Sequence, residues 1–285
     1  MRFSRRKVHG TQGESMLYDM HCHLDFAEAG VQAAFEACGA LAAFSATVEP
    51  RSYEAALAGL GAQENVRIGW GLHPWQARRS DFADLLDVFL AGVARHAFIG
   101  EVGLDFSAKH VSTRERQLDA FERIVRACLE APFEMRAGSP ALDCGIVSIH
   151  AVHAADELAD ILGRTGTFDA CCRFEGAFAA GRALVVHSFN GTSDQLHRLV
   201  RAGLFFSVGP RLLATRRGRA YVRAIPADRL LLETDMPSAQ GVPFSFDAWR
   251  AALEESLAAL AYARGEDEVL VCEALARTSA RILGL

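Results

Sequence analysis

Leu17-Tyr18-Asp19-Met20-His21-Cys22-His23-Leu24 is a short apolar run that ends in charge, and it reads as a β-strand. Side chains two residues apart on a strand share a face, so the alternation predicts Asp19, His21 and His23 on one side and Tyr18, Met20 and Cys22 on the other. Two imidazoles held this way can chelate one cation. The same pair could equally cap a strand end or pack as neutral polar groups, so the choice rests on what the other strand ends carry.

Outward from this run, short apolar segments rich in Gly or Phe alternate with longer segments of helical period to the end of the chain. The predicted strands are Leu17 to His23, Gly39 to Val48, Val66 to His73, Ala97 to Asp105, Gly145 to His150, Ala183 to Phe189, Gly203 to Gly209 and Leu230 to Thr234. Between them, Phe82, Leu85, Leu86 and Phe89 fall at helical spacing over Asp81 to Arg95. Leu118, Phe121, Val125 and Leu129 do so over Thr113 to Glu130. Alternating strand and helix is the repeat of a parallel α/β fold, a (β/α)8 TIM-like barrel. Phe246 to Leu285 adds two C-terminal helices that break near Arg264-Gly265-Glu266-Asp267 and close the outer ring. The sequence shows no linker, low-complexity tract or repeat, so residues 16–285 read as one domain behind a polar tail, 1–15.

In such barrels the reactive groups stand at the C-terminal ends of strands, while the opposite end serves stability. The first predicted strand ends in His21 and His23, the fourth carries Glu101, and the fifth ends in His150. The sixth ends in His187-Ser188-Phe189-Asn190-Gly191 and the last in Glu233-Thr234-Asp235-Met236-Pro237. Four histidines and two carboxylates therefore converge on one barrel mouth, a donor set that suits Zn²⁺, Mn²⁺ or a similar ion. Each residue taken singly has a plainer role: an ion pair for Glu101, a satisfied core position for His150 or His187, a turn cap for Asp235.

Composition narrows the function classes. The 285 residues are 51% hydrophobic with a net charge of −5, enough apolar content for a large core and no cationic surface for tight nonspecific polyanion binding. Any nucleic-acid contact must be local. Of the 30 basic residues only Lys7 and Lys109 are lysines; arginine's planar fork suits phosphate, although an Ala- and Arg-rich chain reflects codon bias first. Seven scattered cysteines without a C-x-x-C pair read as reduced thiols of a cytoplasmic protein. The Ser4-Arg5-Arg6 start lacks the apolar stretch of an export signal, and no later window is apolar enough to span a membrane. Residues 1–15 are expected to be poorly ordered and dispensable, with Met16 as the natural start.

Five ordered stretches resemble the motifs of the TatD-type metal-dependent hydrolases of the amidohydrolase superfamily, a family that includes deoxyribonucleases. They are Asp19-Met20-His21-Cys22-His23-Leu24-Asp25, Gly71-Leu72-His73-Pro74, Gly100-Glu101-Val102-Gly103-Leu104-Asp105, His187-Ser188-Phe189-Asn190-Gly191 and Leu232-Glu233-Thr234-Asp235-Met236-Pro237. The resemblance implies two divalent metal ions, Mg, Mn or Zn. His21, His23, Glu101 and Asp235 would hold one, and Glu101, His150 and His187 the other, with Glu101 as the bridge. Related barrels bridge their metals with a carboxylated lysine, and the absence of any lysine near a strand end supports the glutamate.

The resemblance further implies a phosphodiesterase or deoxyribonuclease that uses a metal-activated water, with Asp235 orienting that water and accepting its proton. Its partner would be DNA or a small phosphorylated substrate, bound transiently, with no membrane and no obligate protein partner. His73, His153 and Arg211 are the expected substrate contacts. The chain also departs from the family pattern. His153 stands where arginine or lysine is usual after His150, Trp75 follows Pro74 where many relatives have histidine, and Ser279 lies near a usual asparagine. The first departure favours an alternative, hydrolysis of small esters, amides or lactones by the same chemistry. A metal-holding scaffold without turnover is the alternative outside enzymes. Two segments look inserted, 131–141 and 167–180, and are expected on the barrel face opposite the metals, where they would tune stability or oligomer contacts.

Overall fold

Every residue of Leu41–Ala46 and of Leu230–Leu232 is buried, the two-sided burial that a central parallel strand demands and that continuous apolar runs supply. The computed structural model describes residues 16–27, 35, 38, 41–61, 63–130, 145–167, 178–179 and 181–285. The tail, the 131–141 segment and almost all of 167–180 lie outside the described residues, as do Cys144, Cys171 and Cys172. Cys22, Cys38, Cys128 and Cys272 are free thiols. Among the described residues no helix is long and apolar enough to cross a membrane.

The parallel strands are β1 (Leu17–Cys22), β2 (Leu41–Ala46), β3 (Val66–Gly69), β4 (Phe98–Asp105), β5 (Ile146–Val152), β6 (Arg182–His187), β7 (Phe205–Val208) and β8 (Leu230–Leu232). The two-residue strand Phe178–Ala179 pairs antiparallel with β6. Regular ladders join β1-β2-β3 and β4 through β8. Two seams complete the ring. At one, Trp70 N donates to Phe98 O (2.9 Å) and Gly100 N to Trp70 O (2.9 Å); at the other, Asp235 N donates to His21 O (2.9 Å) and His23 N to Met236 O (2.8 Å). The first and last strands are therefore neighbours, as the expected (β/α)8 arrangement requires.

Helices α1 (Pro50–Leu60), α2 (Phe82–Gly92), α3 (Arg114–Glu130), α4 (Ala155–Arg164), α5 (Ser193–Arg201), α6 (Pro210–Leu213), α7 (Arg216–Ala224), α8 (Phe246–Arg264) and α9 (Glu268–Leu283) accompany the strands. The apolar stripe of α2 is buried at Phe82, Leu85, Leu86 and Phe89 as its spacing predicts. On α3 the buried line runs through Phe121, Ile124, Val125 and Cys128, with Leu118 and Leu129 packed at its margin. Gly265 ends α8 in the left-handed conformation (φ 69°), and the Asp267 carboxylate accepts from the N–H groups of Val269 and Leu270 to start α9.

The core has two layers. The larger lies between strands and helices; the smaller fills the barrel with Met20, Phe44, Val185, Phe205 and Leu231. Ile282 and Leu283 at the end of α9 join that inner cluster, and Arg67 Nε at the start of β3 donates to Leu283 O (3.0 Å). The last helix thus plugs the N-terminal end of the barrel as well as closing the outer ring. With that end filled, the C-terminal ends of the strands are left to form the site.

One sequence expectation fails at β1. The β1–β2 register shifts between Asp19 and Cys22, and this irregularity breaks the strict alternation. Asp19 faces outward and is fully buried beneath α8: its carboxylate accepts from Trp249 Nε1 (2.5 Å), Thr234 N (3.1 Å) and Thr234 Oγ1 (2.5 Å). Burial raises its pKa to about 6 in spite of those bonds. Asp19 is therefore a clasp between β1 and the segment after β8, and it does not share a face with His21 and His23.

Candidate metal centre

Strand ends bring the expected residues together. His21 from β1, Glu101 from β4, His150 from β5 and His187 from β6 are all buried, as is His23 just past β1, and Asp235 follows β8. The two carboxylate oxygens of Glu101 face different groups. Oε2 lies 3.8 Å from His21 Nε2 and 3.5 Å from His23 Nε2, and those same nitrogens lie 3.8 and 3.5 Å from Asp235 Oδ1. Oε1 lies 2.8 Å from His150 Nδ1, 2.9 Å from His187 Nε2 and 3.2 Å from His73 Nε2.

These residues fit divalent ions by an observation independent of any resemblance. His21 Nε2 is buried and has no hydrogen-bond partner, a costly state for a polar atom that an ion would relieve. Its neighbours stand too far away for hydrogen bonds, yet ligands that share one ion at about 2.1 Å sit roughly 3–4 Å from one another. His21, His23 and Glu101 form one such grouping; His21, His187 and Asp235 another; His73, Glu101 and His150 a third. The donors are imidazole and carboxylate without thiolate, which suits Zn, Mn or Mg more than a soft ion.

The surroundings set which nitrogen faces inward. His23 Nδ1 donates to Ala46 O at 2.7 Å, so in the neutral ring that a metal would bind the lone pair is at Nε2, toward Glu101 and Asp235. His21 Nδ1 meets Ser148 Oγ at 2.7 Å, a hydroxyl able to accept from the ring and so to leave Nε2 as the inward lone pair. His150 presents Nε2 to Asp105 Oδ2 (3.4 Å) and Nδ1 to Glu101, the carboxylate–histidine arrangement that orients a metal-binding ring. Asp105 also accepts from Trp75 Nε1 (2.6 Å) and Ser107 N (2.8 Å). Gly103, between Glu101 and Asp105, has φ 139°, and a Cβ there would collide with the His150 carbonyl. That glycine lets β4 and β5 approach closely enough for both carboxylates to reach one imidazole.

The charge balance follows from this packing. Burial disfavours an ionised Glu101, but the imidazoles of His73, His187 and His150 outweigh it and hold the carboxyl well below the usual range. Burial likewise disfavours charge on His150, yet Asp105 and Glu101 raise its pKa to about 9. His23 is also raised to about 9, with Asp235 and Glu101 outweighing burial. Asp235 falls to about 2 because His23, His21 and His187 overcome its burial. Glu233, beside Ser207 and 3.9 Å from His187 Nδ1, has its pKa pushed well above its ordinary value by burial and by Asp235.

Two expected substrate contacts stand elsewhere. His73 is buried against Glu101: its Nδ1 accepts from Trp75 N (3.2 Å), leaving Nε2–H to donate to the carboxylate, and burial lowers its pKa to about 4. It is a neutral donor to Glu101 and does not line the open cleft. His153 is exposed, with φ 53°, and does not line the cleft either. Arg211 does line it and places Nη1 3.2 Å from Asp235 Oδ2. Among the described residues, the other non-glycine residues with positive φ are Ser188 (45°) and Asp235 (58°), each at a strand end in the site, where such strain is commonly stored.

Sequence reasoning passed over Asp105, Ser148 and Arg217. Asp105 lies four residues past Glu101 and Ser148 two before His150, so same-face spacing held a signal for both. Arg217 lies in the basic run Arg211 to Arg219, where charge density was the only signal. For Asp105, the neutral variant Asp105→Asn should weaken metal binding about 10- to 100-fold, because it withdraws the anion that orients His150. Chelator competition measures it.

The family model described as TatD related DNase matches residues 18–284, nearly the whole barrel. The chain belongs to this TatD-related family. A protein named Deoxyribonuclease Tat-D from Saccharomyces cerevisiae is 34% identical over 156 residues, covering 49% of this chain and 35% of that one. A 3'-5' ssDNA/RNA exonuclease TatD from Dickeya dadantii is 34% identical over 176 residues, covering 59% of this chain and 55% of the relative. The matched stretch thus spans about a third to a half of these TatD relatives. The fold is also that of a TatD family hydrolase from Entamoeba histolytica, with a TM-score of 0.69 at 14% identity over 95% of this chain and 99% of that one. An uncharacterized amidohydrolase from Saccharomyces cerevisiae gives 0.69 at 18% identity, over 94% and 99%. The divalent-metal use that the TatD family implies agrees with the donor set described above.

Proposed function

We propose that this protein is a metal-dependent phosphodiesterase, a deoxyribonuclease acting on single-stranded nucleic acid, and that it binds two divalent ions, Mg, Mn or Zn. The observation that carries the reading is the division of Glu101, whose Oε2 faces His21 and His23 while Oε1 faces His150 and His187. One ion would be held by His21, His23, Asp235 and Glu101, the second by His150, His187 and Glu101. Such ions supply Lewis acidity that polarises a phosphoryl oxygen and activates water near neutral pH.

The remaining steps belong to the chain's own groups. Asp235, ionised at neutral pH, orients the attacking water and takes its proton on the carboxylate. Arg211 has one N–H on Asp235 and further donors in its fork for the non-bridging oxygens of the phosphate. His73 and Asp105 hold Glu101 and His150 in place and touch no substrate. The names of the relatives supply the substrate class, and the ring that runs from β1 to β8 supports a single domain over 16–285.

The deciding experiment strips the protein with EDTA, reloads it separately with Mg²⁺, Mn²⁺ or Zn²⁺, and assays single-stranded DNA, bis(p-nitrophenyl) phosphate, a carboxyl ester and a lactone. Metal-dependent cleavage of DNA is the expected result. Hydrolysis of only the ester or lactone would replace this reading with the small-ester alternative. Metal uptake without turnover on any substrate would leave the scaffold.

A further inference from the structure

A cleft of about 560 Å³ opens beside the metal-facing residues and runs along α6 and α7, far larger than a single phosphoryl group requires. His150, His187 and Asp235 border it at the metal end. Arg211 and Arg217 are also part of its lining, and among the described residues Asp235 is the only acidic one there. The wall carrying Arg217 is well anchored: Thr215 Oγ1 accepts from Gly218 N (2.8 Å) at the start of α7, and Tyr221 OH donates to Gly191 O (2.5 Å).

Arg217 is costly where it stands. It occupies the first turn of α7 beside Arg216, with no acidic residue in that turn, so two cations sit at the positive end of the helix dipole. Six arginines elsewhere on this surface, Arg79, Arg114, Arg123, Arg164, Arg198 and Arg250, each have a carboxylate within 3.0 Å, while Arg116, Arg201 and Arg219, like Arg217, have none among the described residues. Arg217 is exposed and, among the described residues, has no ion pair to a carboxylate. A net-acidic chain that keeps an uncompensated cation in the wall of its reactive cleft has a place for an anion that the chain itself does not supply.

We propose that Arg217 binds the phosphate adjacent to the scissile one, so that the cleft selects a strand carrying at least two phosphates over a small diester carrying one. The inference deepens the phosphodiesterase reading and rests on it. Arg211, beside Asp235, serves the scissile phosphate, and Arg217 is the specificity-determining residue of the outer one.

The test compares wild type with Arg217→Ala, Arg217→Glu and Arg217→Lys, all at an exposed position, with melting temperature as the check on folding. One arm measures kcat/KM for a single-stranded oligothymidylate and for bis(p-nitrophenyl) phosphate in Mn²⁺. The ratio of the two should fall about tenfold in Arg217→Ala, mainly through KM of the oligonucleotide, and further in Arg217→Glu; it should recover to within about threefold in Arg217→Lys. The other arm measures anisotropy of a labelled oligothymidylate in EDTA, where turnover is absent. Its affinity should fall in the same order, and the slope of log K against log salt should drop by about one in Arg217→Ala. Unchanged oligonucleotide affinity and an unchanged ratio overturn the inference. If wild type hydrolyses neither diester yet Arg217→Glu loses oligonucleotide affinity, the phosphodiesterase reading fails and the strand-binding role of Arg217 stands. If wild type hydrolyses both and the variants bind the oligonucleotide as wild type does, only the inference fails.

Discussion

Glu101→Gln should leave the barrel folded and empty it of metal, with turnover falling by roughly a thousandfold or more. Glutamine keeps the shape and one acceptor oxygen, so the His73, His150 and His187 side retains a partner at about the observed 2.8–3.2 Å. The other carboxylate oxygen becomes an NH2 group aimed at His21 Nε2 and His23 Nε2, the nitrogens that would hold a metal, so a donor replaces a ligand. The bridging charge is lost at the same time. Elemental analysis of the purified variant, with circular dichroism as the folding control, measures the effect. Unchanged metal content would reduce Glu101 to an ion-pairing core residue.

Much of this site was legible because barrel topology does the assembling. Once strands alternate with helices, residues at strand C-termini must meet, so His21, His150 and His187 could be placed together from positions distant in sequence. Helix stripes such as Phe82, Leu85, Leu86 and Phe89 were equally plain, since helical period survives any tertiary context.

What escaped depends on geometry that sequence period does not encode. A register shift in β1 turns Asp19 outward to Trp249, and no alternation rule anticipates an irregularity. His73 was expected to face substrate, but a backbone N–H from Trp75 occupies its Nδ1 and so commits Nε2 to Glu101. His153 stands where the family's cation is usual, yet the cations of the cleft come from the α6–α7 corner. Such a corner follows a strand end through a loop, whose path local propensity does not fix.

Raising the pH from about 6.5 to about 9 should destabilise the metal-free protein by about 3 kcal/mol, a fall of very roughly 5–10 °C in melting temperature, and bound Mn²⁺ should remove most of that fall. His23 and His150 each have a folded pKa of about 9 against an ordinary 6.5. A base whose pKa is raised on folding contributes fully below its unfolded value, and the contribution disappears as pH climbs through the folded one. Both histidines act on Glu101, so their effects overlap and do not simply add. Glu233, an acid with a raised pKa, can only push in the same direction. His21 and His73, with lowered pKa values, gain their contribution below this window, as pH rises toward 6.5. Asp235, depressed to about 2, likewise acts only in acid. A divalent ion takes the place of the protons between the imidazoles and carboxylates, so its affinity rises across the window in which the protons leave. The gap between melting temperatures in Mn²⁺ and in EDTA should therefore widen steadily from pH 6.5 to 9. Parallel curves would show that protons and metal do not compete for the same nitrogens, and would remove His23 and His150 from the metal site.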